Sequence, residues 1–249
     1  MNLLIIEKSD LLDIRTALVA DDRARHLIEI KKVKLGTEIA VGLIDSWLGK
    51  ARVVELQAKQ VKLEIIEQAE VEREFDLTLL LALPRPQLLK KVLQIAGMWG
   101  VKEIIFSGSE KVEKSYFQSI VLEPQTLKKH LVDGMSQGVN IFLPQVRVEK
   151  HLKQALELIQ NTKDKFLAEK TAEQKLINFY VHNREKSNYD KILVALGPEG
   201  GFMPSEIDAF VQSGFLMFNI SPYVLRVDVA LSAALAQLYL ARSSTINGI

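Results

Sequence analysis

The apolar positions of this chain follow two different patterns, one before and one after residue 72. In residues 1–72, short β-branched runs, TEIAVGLI, ARVVEL and VKLEIIE, are separated by the turn-like segments DSWLGK and QAKQ. Such runs predict a small sheet or barrel built of hairpins. In residues 73–249, beginning with FDLTLLLAL, strand candidates alternate with longer helical patterns. That alternation predicts an α/β unit with a mostly parallel sheet and helices on its faces.

The elements of the second unit can be predicted one by one from the spacing of their apolar residues. Helices are predicted in PQLLKKVLQIAGMWG, PQTLKKHLVDGMSQG and EKHLKQALELIQN, and strands in VKEIIFS, IFLPQV, KFLAE, LINFYV, KILVAL and FLMFNI. One face of the first helix holds Leu89, Val92, Leu93 and Ala96. A later helix is predicted from Pro204 to a closing Gly214. Its apolar face holds Ile207, Phe210 and Val211.

The last predicted helix, VALSAALAQLYLA, is apolar nearly all round, which favours burial in the core and against a partner subunit. A chain of 249 residues with 48% hydrophobic content can fill two domains of unequal size. The longest apolar runs are too short for a membrane span, so a soluble, cytoplasmic protein is expected. The chain has no cysteine, which excludes disulfides and thiolate metal sites and is compatible with a reducing cytosol.

Charge points to nucleic acid only locally, because 32 basic and 31 acidic residues leave a net charge of +1. The strongest window is RARHLIEIKKVK, residues 23–34. Its basic side chains are Arg23, Arg25, Lys31, Lys32 and Lys34, against Glu29 alone. On charge alone, a solvated strand edge, where lysines oppose aggregation, is the simpler interpretation.

The segment ALGPEGGF, residues 195–202, places three glycines directly after a predicted buried strand. Glycine lets the backbone approach a ligand closely and adopt left-handed dihedrals. In open α/β sheets, ligands bind outside the carboxyl ends of the strands. The segment is neither the dinucleotide nor the phosphate-loop motif, so no nucleotide is indicated. A ligand loop and a tight strand-to-helix connection both fit, and the second is the simpler interpretation of the motif alone.

A second strand-to-helix passage, NISPYVLRVDVA, follows at residues 219–230 and brings Arg226 and Asp228 to a turn. Two such turns at neighbouring strand ends can enclose a small molecule. The Arg226 and Asp228 side chains can equally form a surface ion pair of little energetic value. The four histidines, His26, His130, His151 and His182, lack metal-ligand spacing, so structural or surface roles are expected and no metal site is predicted.

These residues resemble a known family, the RsmE-type 16S ribosomal RNA uridine methyltransferases. The string LGPEGGF, followed by EI, GF and SPYVLRVDVALSAALAQL, is similar to the end of that family, whose usual wording is close to IGPEGGF…E…GF…LGPRILRTETA…A. RHLIEIKKVKLGTEI and GVKEIIFSGSEK resemble its amino-terminal and central segments. The resemblance therefore touches most of the chain in order.

The resemblance implies a SPOUT-type α/β domain with a carboxyl-terminal trefoil knot in residues 73–249, preceded by a PUA-like β-barrel that binds RNA in residues 1–72. It implies S-adenosylmethionine as cofactor, a homodimer that completes each active site, and 16S rRNA or the small ribosomal subunit as partner. The expected product is uridine methylated at N3. The sulfonium carries an activated methyl group, so the protein has mainly to align the uridine and help remove its proton.

The resemblance also assigns roles to residues. The implied cofactor-binding residues are Leu83, Leu196, Gly197, Pro198, Glu199, Gly200, Gly201, Ile220, Ser221, Val224 and Leu225. For catalysis we expect Arg226 to stabilise negative charge on the uracil, while Asp228 or solvent takes the proton. Contacts to RNA phosphates are expected from the five basic residues of the 23–34 window and from Arg85, with Lys90 and Lys91 nearby.

The chain departs from the family at positions that carry charge or hydroxyl groups. The family's LRTETA is LRVDVA here, so Val227 and Val229 replace two threonines and Asp228 replaces glutamate. Met98, Met135 and Val139 replace charged residues, and these positions are expected to face RNA or a dimer interface. An active rRNA methyltransferase, a non-catalytic RNA- or ribosome-binding paralogue, and an enzyme with another substrate all remain open.

Overall fold

The computed structural model describes residues 2–182 and 191–246 of the chain. Its first sheet has five strands, β1 (Leu4–Ile6), β2 (Thr16–Val19), β3 (Glu38–Leu43), β4 (Trp47–Gln57) and β5 (Gln60–Glu70), in the order β1-β3-β4-β5-β2. β1 runs parallel to β3, and the other pairs are antiparallel. The predicted hairpins are confirmed, although DSWLGK is not wholly a turn, because β4 begins at Trp47. Within the described strands no ladder joins β1 to β2, and closure into a barrel stays a prediction.

The basic window is helical as far as Ile30 and irregular from Lys31 to Lys34, so the prediction of a strand edge is wrong. Helix α1 (Asp21–Arg25) continues directly into a π-helical turn, His26–Ile30. Ala24 and Leu27, three residues apart, are buried against the first sheet. This helical spacing of two apolar side chains fixes the segment. Arg23 and Arg25 lie on its other faces, and Lys31, Lys32 and Lys34 follow its end.

The second sheet is parallel throughout and has the order β11-β9-β10-β6-β7-β8. Its strands are β6 (Asp76–Ala82), β7 (Glu103–Ser107), β8 (Gln145–Glu149), β9 (Asp164–Ala168), β10 (Lys191–Leu196) and β11 (Leu216–Phe218). The helices are α2 (Pro86–Met98), α3 (Pro124–Gly138), α4 (Leu152–Leu158), α5 (Leu176–His182), α6 (Pro204–Gln212) and α7 (Val227–Ile246). The predicted α/β class is therefore confirmed.

Two predicted strands differ from the structure. LINFYV forms helix α5 and not a strand, because Leu176 is buried and Phe179 packs 5.7 Å from Phe166, centroid to centroid, on the α7 side of the sheet. In IFLPQV only the last two residues belong to a strand, since β8 begins at Gln145. Val211, predicted on the buried face of α6, is 47% exposed.

Helices α2 and α3 approach each other so closely that only glycine fits at the contact. A Cβ atom on Gly134 would lie 2.0 Å from the carbonyl oxygen of Gln94, and one on Gly97 would lie 2.3 Å from that of Leu131. These obstructing atoms belong to the backbone, so a side-chain rotation cannot relieve the clash. The two helices are therefore packed main chain against main chain.

The two sheets share an interface between β1 and α3. Leu3 and Ile5 pack against Met135 and Ile141, all nearly or fully buried. Ser136 Oγ donates a hydrogen bond of 2.6 Å to the carbonyl oxygen of Leu3. The expectation that Met135 faces RNA or a dimer partner is wrong, because its side chain is fully buried at this interface.

Helix α7 buries one face and leaves a narrower apolar stripe outside. Its buried side chains are Val227, Leu231, Ala234, Leu235, Leu238 and Ala241. Val229 and Leu240 are 46% and 65% exposed, and Ala236 is exposed between them. The sequence predicted that α7 would be buried on nearly every side. Within this chain, only one side of the helix is buried.

Candidate functional site

The neighbouring strands β9 and β10 end at the same edge of the parallel sheet, and a cavity of about 360 Å³ opens there. Such a volume lies in the range of small-molecule sites. Its wall is formed by the loop after β10, the loop after β9 and the segment that leads into α7. The lining residues are Ala168, Glu169, Lys170, Thr171, Leu196, Gly197, Pro198, Glu199, Gly200, Gly201, Phe202, Ile220, Ser221, Tyr223, Val224, Leu225, Val227 and Ala230.

Glycine shapes the loop after β10. Gly201 has φ of +70°, a left-handed conformation that strains any residue with a side chain. A Cβ on Gly197 would lie 3.1 Å from the Phe202 ring, which packs beneath the loop against Phe210. Because three of the five residues 197–201 are glycines, few side chains shield the main chain, and its amide and carbonyl groups can contact a ligand.

The buried carboxylate of Glu206 holds this loop to the loop after β7. It accepts hydrogen bonds from the Met203 amide at 2.8 Å, the Glu110 amide at 2.9 Å and the Ser109 hydroxyl at 3.3 Å. The first of these bonds also caps the start of α6. Glu206 lies in the EI pair after GPEGGF but was not predicted as a site residue.

Two cations from other loops fasten the glycine-rich loop from outside. Arg85, in the turn between β6 and α2, donates from Nε to Glu199 Oε1 at 3.0 Å. Lys111 donates from Nζ to the Gly200 carbonyl oxygen at 2.7 Å. The loop is thereby linked to the ends of β6 and β7 before any ligand binds, which lowers the cost of ordering it on binding.

Arg226 and Asp228 form a bidentate ion pair beside the cavity. Arg226 Nε and Nη2 lie 2.6 Å and 2.7 Å from the two carboxylate oxygens of Asp228. Hydrogen bonding from Arg226 lowers the pKa of Asp228, whose carboxylate is buried, whereas the arginine side chain is 54% exposed. Lys91 Nζ lies 4.0 Å from the same carboxylate. Neither partner lines the cavity, although Leu225 and Val227 on either side of Arg226 do.

The structure brings together every predicted cofactor-binding residue except Leu83. Leu83 is buried in the core, and its amide donates to the Ser107 carbonyl oxygen in continuation of the β6–β7 ladder. Sequence reasoning missed the wall formed by Ala168–Thr171. The sequence did contain a sign of this wall, because KFLAE was predicted to be a strand. In a parallel sheet its carboxyl end lies at the same edge as that of the strand before the glycine-rich loop, so the residues after it could be expected at the same site.

The predicted RNA-binding residues fall into two groups. Arg23 is bonded to Asp10 and Asp21, Arg25 to Asp22, and Arg85 to Glu199. Lys31, Lys32 and Lys34 are exposed, and no carboxylate in residues 2–182 or 191–246 lies within ion-pairing distance of them. Ile30 and Leu35 beside them are about two-thirds exposed. The lysines thus sit on an open surface with apolar flanks.

Desolvation lowers the pKa of both His26 and His130. His151 is exposed, and the side chain of His182 lies outside the described residues. The described part of the chain contains no cluster of three or more potential metal ligands. None of its helices is long and apolar enough to cross a membrane.

Comparison with known proteins finds the same likeness by sequence and by structure. A family model described as RNA methyltransferase domain matches residues 71–239. The chain is 32% identical to ribosomal RNA small subunit methyltransferase E 1 of Borreliella burgdorferi, over 94% of this chain and 95% of that one. It is 25% identical to the corresponding methyltransferase E of Treponema pallidum, over 95% and 90%. A crystal structure of methyltransferase E from Neisseria gonorrhoeae bound to S-adenosyl methionine shares the fold, with a TM-score of 0.77, 19% identity and coverage of 96% and 97%.

Proposed function

The chain belongs to the RNA methyltransferase family, as a divergent member of its RsmE type, and on that premise we propose that it methylates N3 of a uridine in small-subunit ribosomal RNA with S-adenosylmethionine as methyl donor. The observation that carries the proposal is the cavity of about 360 Å³ between the loop after β10 and the segment before α7. Both loops are poor in bulky polar side chains, so main-chain groups are available to bind a cofactor.

The cavity residues fit S-adenosylmethionine in both shape and charge. Apolar side chains of Leu196, Ile220 and Leu225 can cover the adenine ring, while loop amides and carbonyls bind its edge. The carboxylate of Glu169 borders the same space and complements a positively charged ligand, whereas Glu199 is paired with Arg85 and Lys170 lies in the same wall. When bound, the cofactor supplies a methyl group on a sulfonium, which leaves the protein to bind, orient and deprotonate the base.

We assign Arg226 the stabilisation of the charge that develops on the uracil ring. Loss of the N3 proton leaves the uracil ring anionic, and a nearby guanidinium favours that anion, which would then accept the methyl group that the bound cofactor supplies. Asp228 is better suited to orient Arg226 than to take that proton. Its lowered pKa makes it a weak base, and both carboxylate oxygens are bonded to the guanidinium. Solvent then accepts the proton.

We propose that residues 1–72 form the RNA-binding domain, with Lys31, Lys32 and Lys34 as its phosphate contacts. Support comes from their exposure and from the lack of a carboxylate partner among the described residues. Arg23 and Arg25 are already bonded to aspartates and serve the local structure. Positively charged side chains near RNA release counterions, so their contribution depends on salt.

Replacing Lys31, Lys32 and Lys34 together with alanine is expected to weaken RNA binding and to flatten its salt dependence. The slope of log K against log salt should decrease by about one for each phosphate that the variant no longer neutralises. Fluorescence anisotropy with a labelled small-subunit RNA fragment at several salt concentrations measures this. The control replaces Lys8, Lys59 and Lys163, which are exposed elsewhere, and should leave the slope unchanged. An equal decrease in both variants would contradict the assignment.

We propose that the protein acts as a homodimer whose contact surface includes α7. Val229 and Ala236 lie two turns apart and exposed on one face of α7, and an apolar partner surface would cover them. Tyr223 and Val224, at the cavity, are both about three-quarters exposed. A second copy placed on α7 and this segment would cover both apolar groups and close the cofactor cavity.

Calorimetric titration followed by a transfer assay tests the proposed function. We expect saturable binding of S-adenosylmethionine and, with small subunits from cells that lack the gene, incorporation of one labelled methyl group at a uridine. Mass spectrometry of nuclease fragments then gives the position of the methyl group. No cofactor binding would leave only the non-catalytic paralogue, and transfer to another base or position would contradict the N3 assignment.

A further inference from the structure

A second cleft, of about 670 Å³, lies between helices α4 and α6 at the opposite end of β9 from the cofactor cavity. Lys165, in the second position of β9, lines the cleft, while Ala168 in the same strand lines the cofactor cavity. Three residues of strand separate them by about 10 Å. The two sites are therefore distinct, and none of their lining residues is shared.

The side chain of Lys165 is buried without a compensating charge. The residue is only 8% exposed, and no described side chain forms a hydrogen bond or ion pair with its ammonium. Its nearest aromatic contact is Phe215, whose ring centroid lies 5.8 Å from Nζ. Desolvation lowers the pKa of this amine, in agreement with the absence of a nearby anion. The aliphatic stem is buried, while Nζ itself stays accessible at the cleft, so the ammonium can pair with an anion that enters there.

The carboxylates at the cleft are not placed to neutralise Lys165. Glu206 lines the cleft, but its oxygens are bonded to the amides of Met203 and Glu110 and to Ser109. Glu157 is exposed at the rim and makes no ion pair with any described residue. None of the remaining polar residues of the rim is negatively charged, and each has a side-chain donor; they are Lys153, Gln160, Ser205, Gln212 and Ser213, whose hydroxyl donates to the Ala209 carbonyl oxygen.

We propose that this cleft binds an oxyanion, the phosphate or carboxylate group of a small molecule, with the ammonium of Lys165 as its charge partner. The ammonium of Lys165 supplies the charge, and the side-chain amides and hydroxyl at the rim supply neutral donors. With only two lysines, the cleft lacks the row of cations that a nucleic-acid backbone needs. A single small anion therefore fits it better than a strand of RNA.

Titration with inorganic phosphate, uridine 5′-monophosphate and succinate tests the proposal by calorimetry and by thermal shift. We expect saturable binding of at least one of the three to the wild type, and a loss of at least about tenfold in affinity in Lys165→Met. Methionine keeps the length and the packing of the aliphatic stem. The ligand should raise the melting temperature of the wild type but not that of the variant.

Lys163→Met is the matched control, because Lys163 is exposed two residues earlier and does not line the cleft. It should bind the anion like the wild type. Binding of phosphate but not succinate would identify a phosphate site, and preference for the nucleotide would extend it to a phosphate ester. The proposal is overturned if none of the three binds, or if Lys165→Met binds as tightly as the wild type.

The outcome is independent of the methyltransferase assignment. Lys165→Met should keep the affinity for S-adenosylmethionine, because Lys165 does not line the cofactor cavity. A protein that fails to bind the cofactor can still bind an anion at Lys165. A protein that binds the cofactor can likewise fail to bind an anion there.

Discussion

Replacing Arg226 with alanine is expected to lower kcat for methyl transfer by about a hundredfold or more, since removing one preorganised group that stabilises developing charge costs that much in other enzymes. Affinity for S-adenosylmethionine should stay within about twofold, because the interaction acts on the base in the transition state and not on the cofactor. Steady-state transfer to small subunits at saturating cofactor and substrate measures the first quantity, and calorimetry measures the second.

The matched control for this variant is Arg52→Ala. Arg52 also forms an exposed ion pair, with Glu38 on the first sheet, far along the chain from the cofactor loops. It should leave transfer unchanged. Asp228→Asn should reduce transfer less than Arg226→Ala, since it disturbs only the orientation of the guanidinium. Full activity in Arg226→Ala would remove this residue from the catalytic machinery.

Replacing Gly134 with alanine is expected to destabilise the fold by about 2 kcal/mol or more, which combines an overpacking cost with the usual gain of alanine over glycine in a helix. The added methyl group would lie 2.0 Å from the Gln94 carbonyl oxygen, so α2 and α3 would have to move apart. For a chain of this size, the melting temperature should fall by about 4–8 °C. Thermal and urea unfolding followed by circular dichroism measure the change.

Gln137→Ala, at an exposed position of the same helix, is the control for helix propensity. It should change stability by no more than about 0.5 kcal/mol. If Gly134→Ala proved as stable as the wild type, the close approach of the two helices would be wrong. Because α2 follows the turn that holds Arg85, a shift of this helix should also weaken the Arg85–Glu199 contact and with it cofactor binding.

Much of the second unit could be predicted because local signals there agree with the fold. The apolar face of α2, formed by Leu89, Val92, Leu93 and Ala96, is fully buried as its spacing predicted. Pro204 begins α6, and Gly214 after it has φ of +83°. The glycines at 197, 200 and 201 stand where the backbone must turn beside a cavity. Proline and glycine each have a steric reason to occupy these positions: proline fixes φ at the start of a helix, and glycine tolerates positive φ and close contact.

Other features depend on tertiary contacts that a local pattern does not contain. LINFYV has the β-branched and aromatic residues typical of a strand, yet packing against α7 makes it helical. Glu169, Lys170 and Thr171 look like any polar loop, and only the parallel pairing of β9 with β10 places them at the cavity. The pairing of Arg23 with Asp10 joins residues from different elements, so the charge count of the 23–34 window overstated the positive charge that is free.

The pairing of β6 with β10 has a consequence for biosynthesis. Asp76 lies opposite Lys191, and 191 − 76 = 115 positions separate them along the chain. The ribosome must therefore synthesise that whole stretch after β6 before β6 and β10, the central strands of the second sheet, can pair. Contacts of such long range form slowly, whereas the hairpin of β4 and β5 can form early and alone. A nascent chain stalled before residue 191 would thus carry a complete first sheet but no cofactor cavity, and the capacity to bind a ligand arises only once the residues that follow have been made.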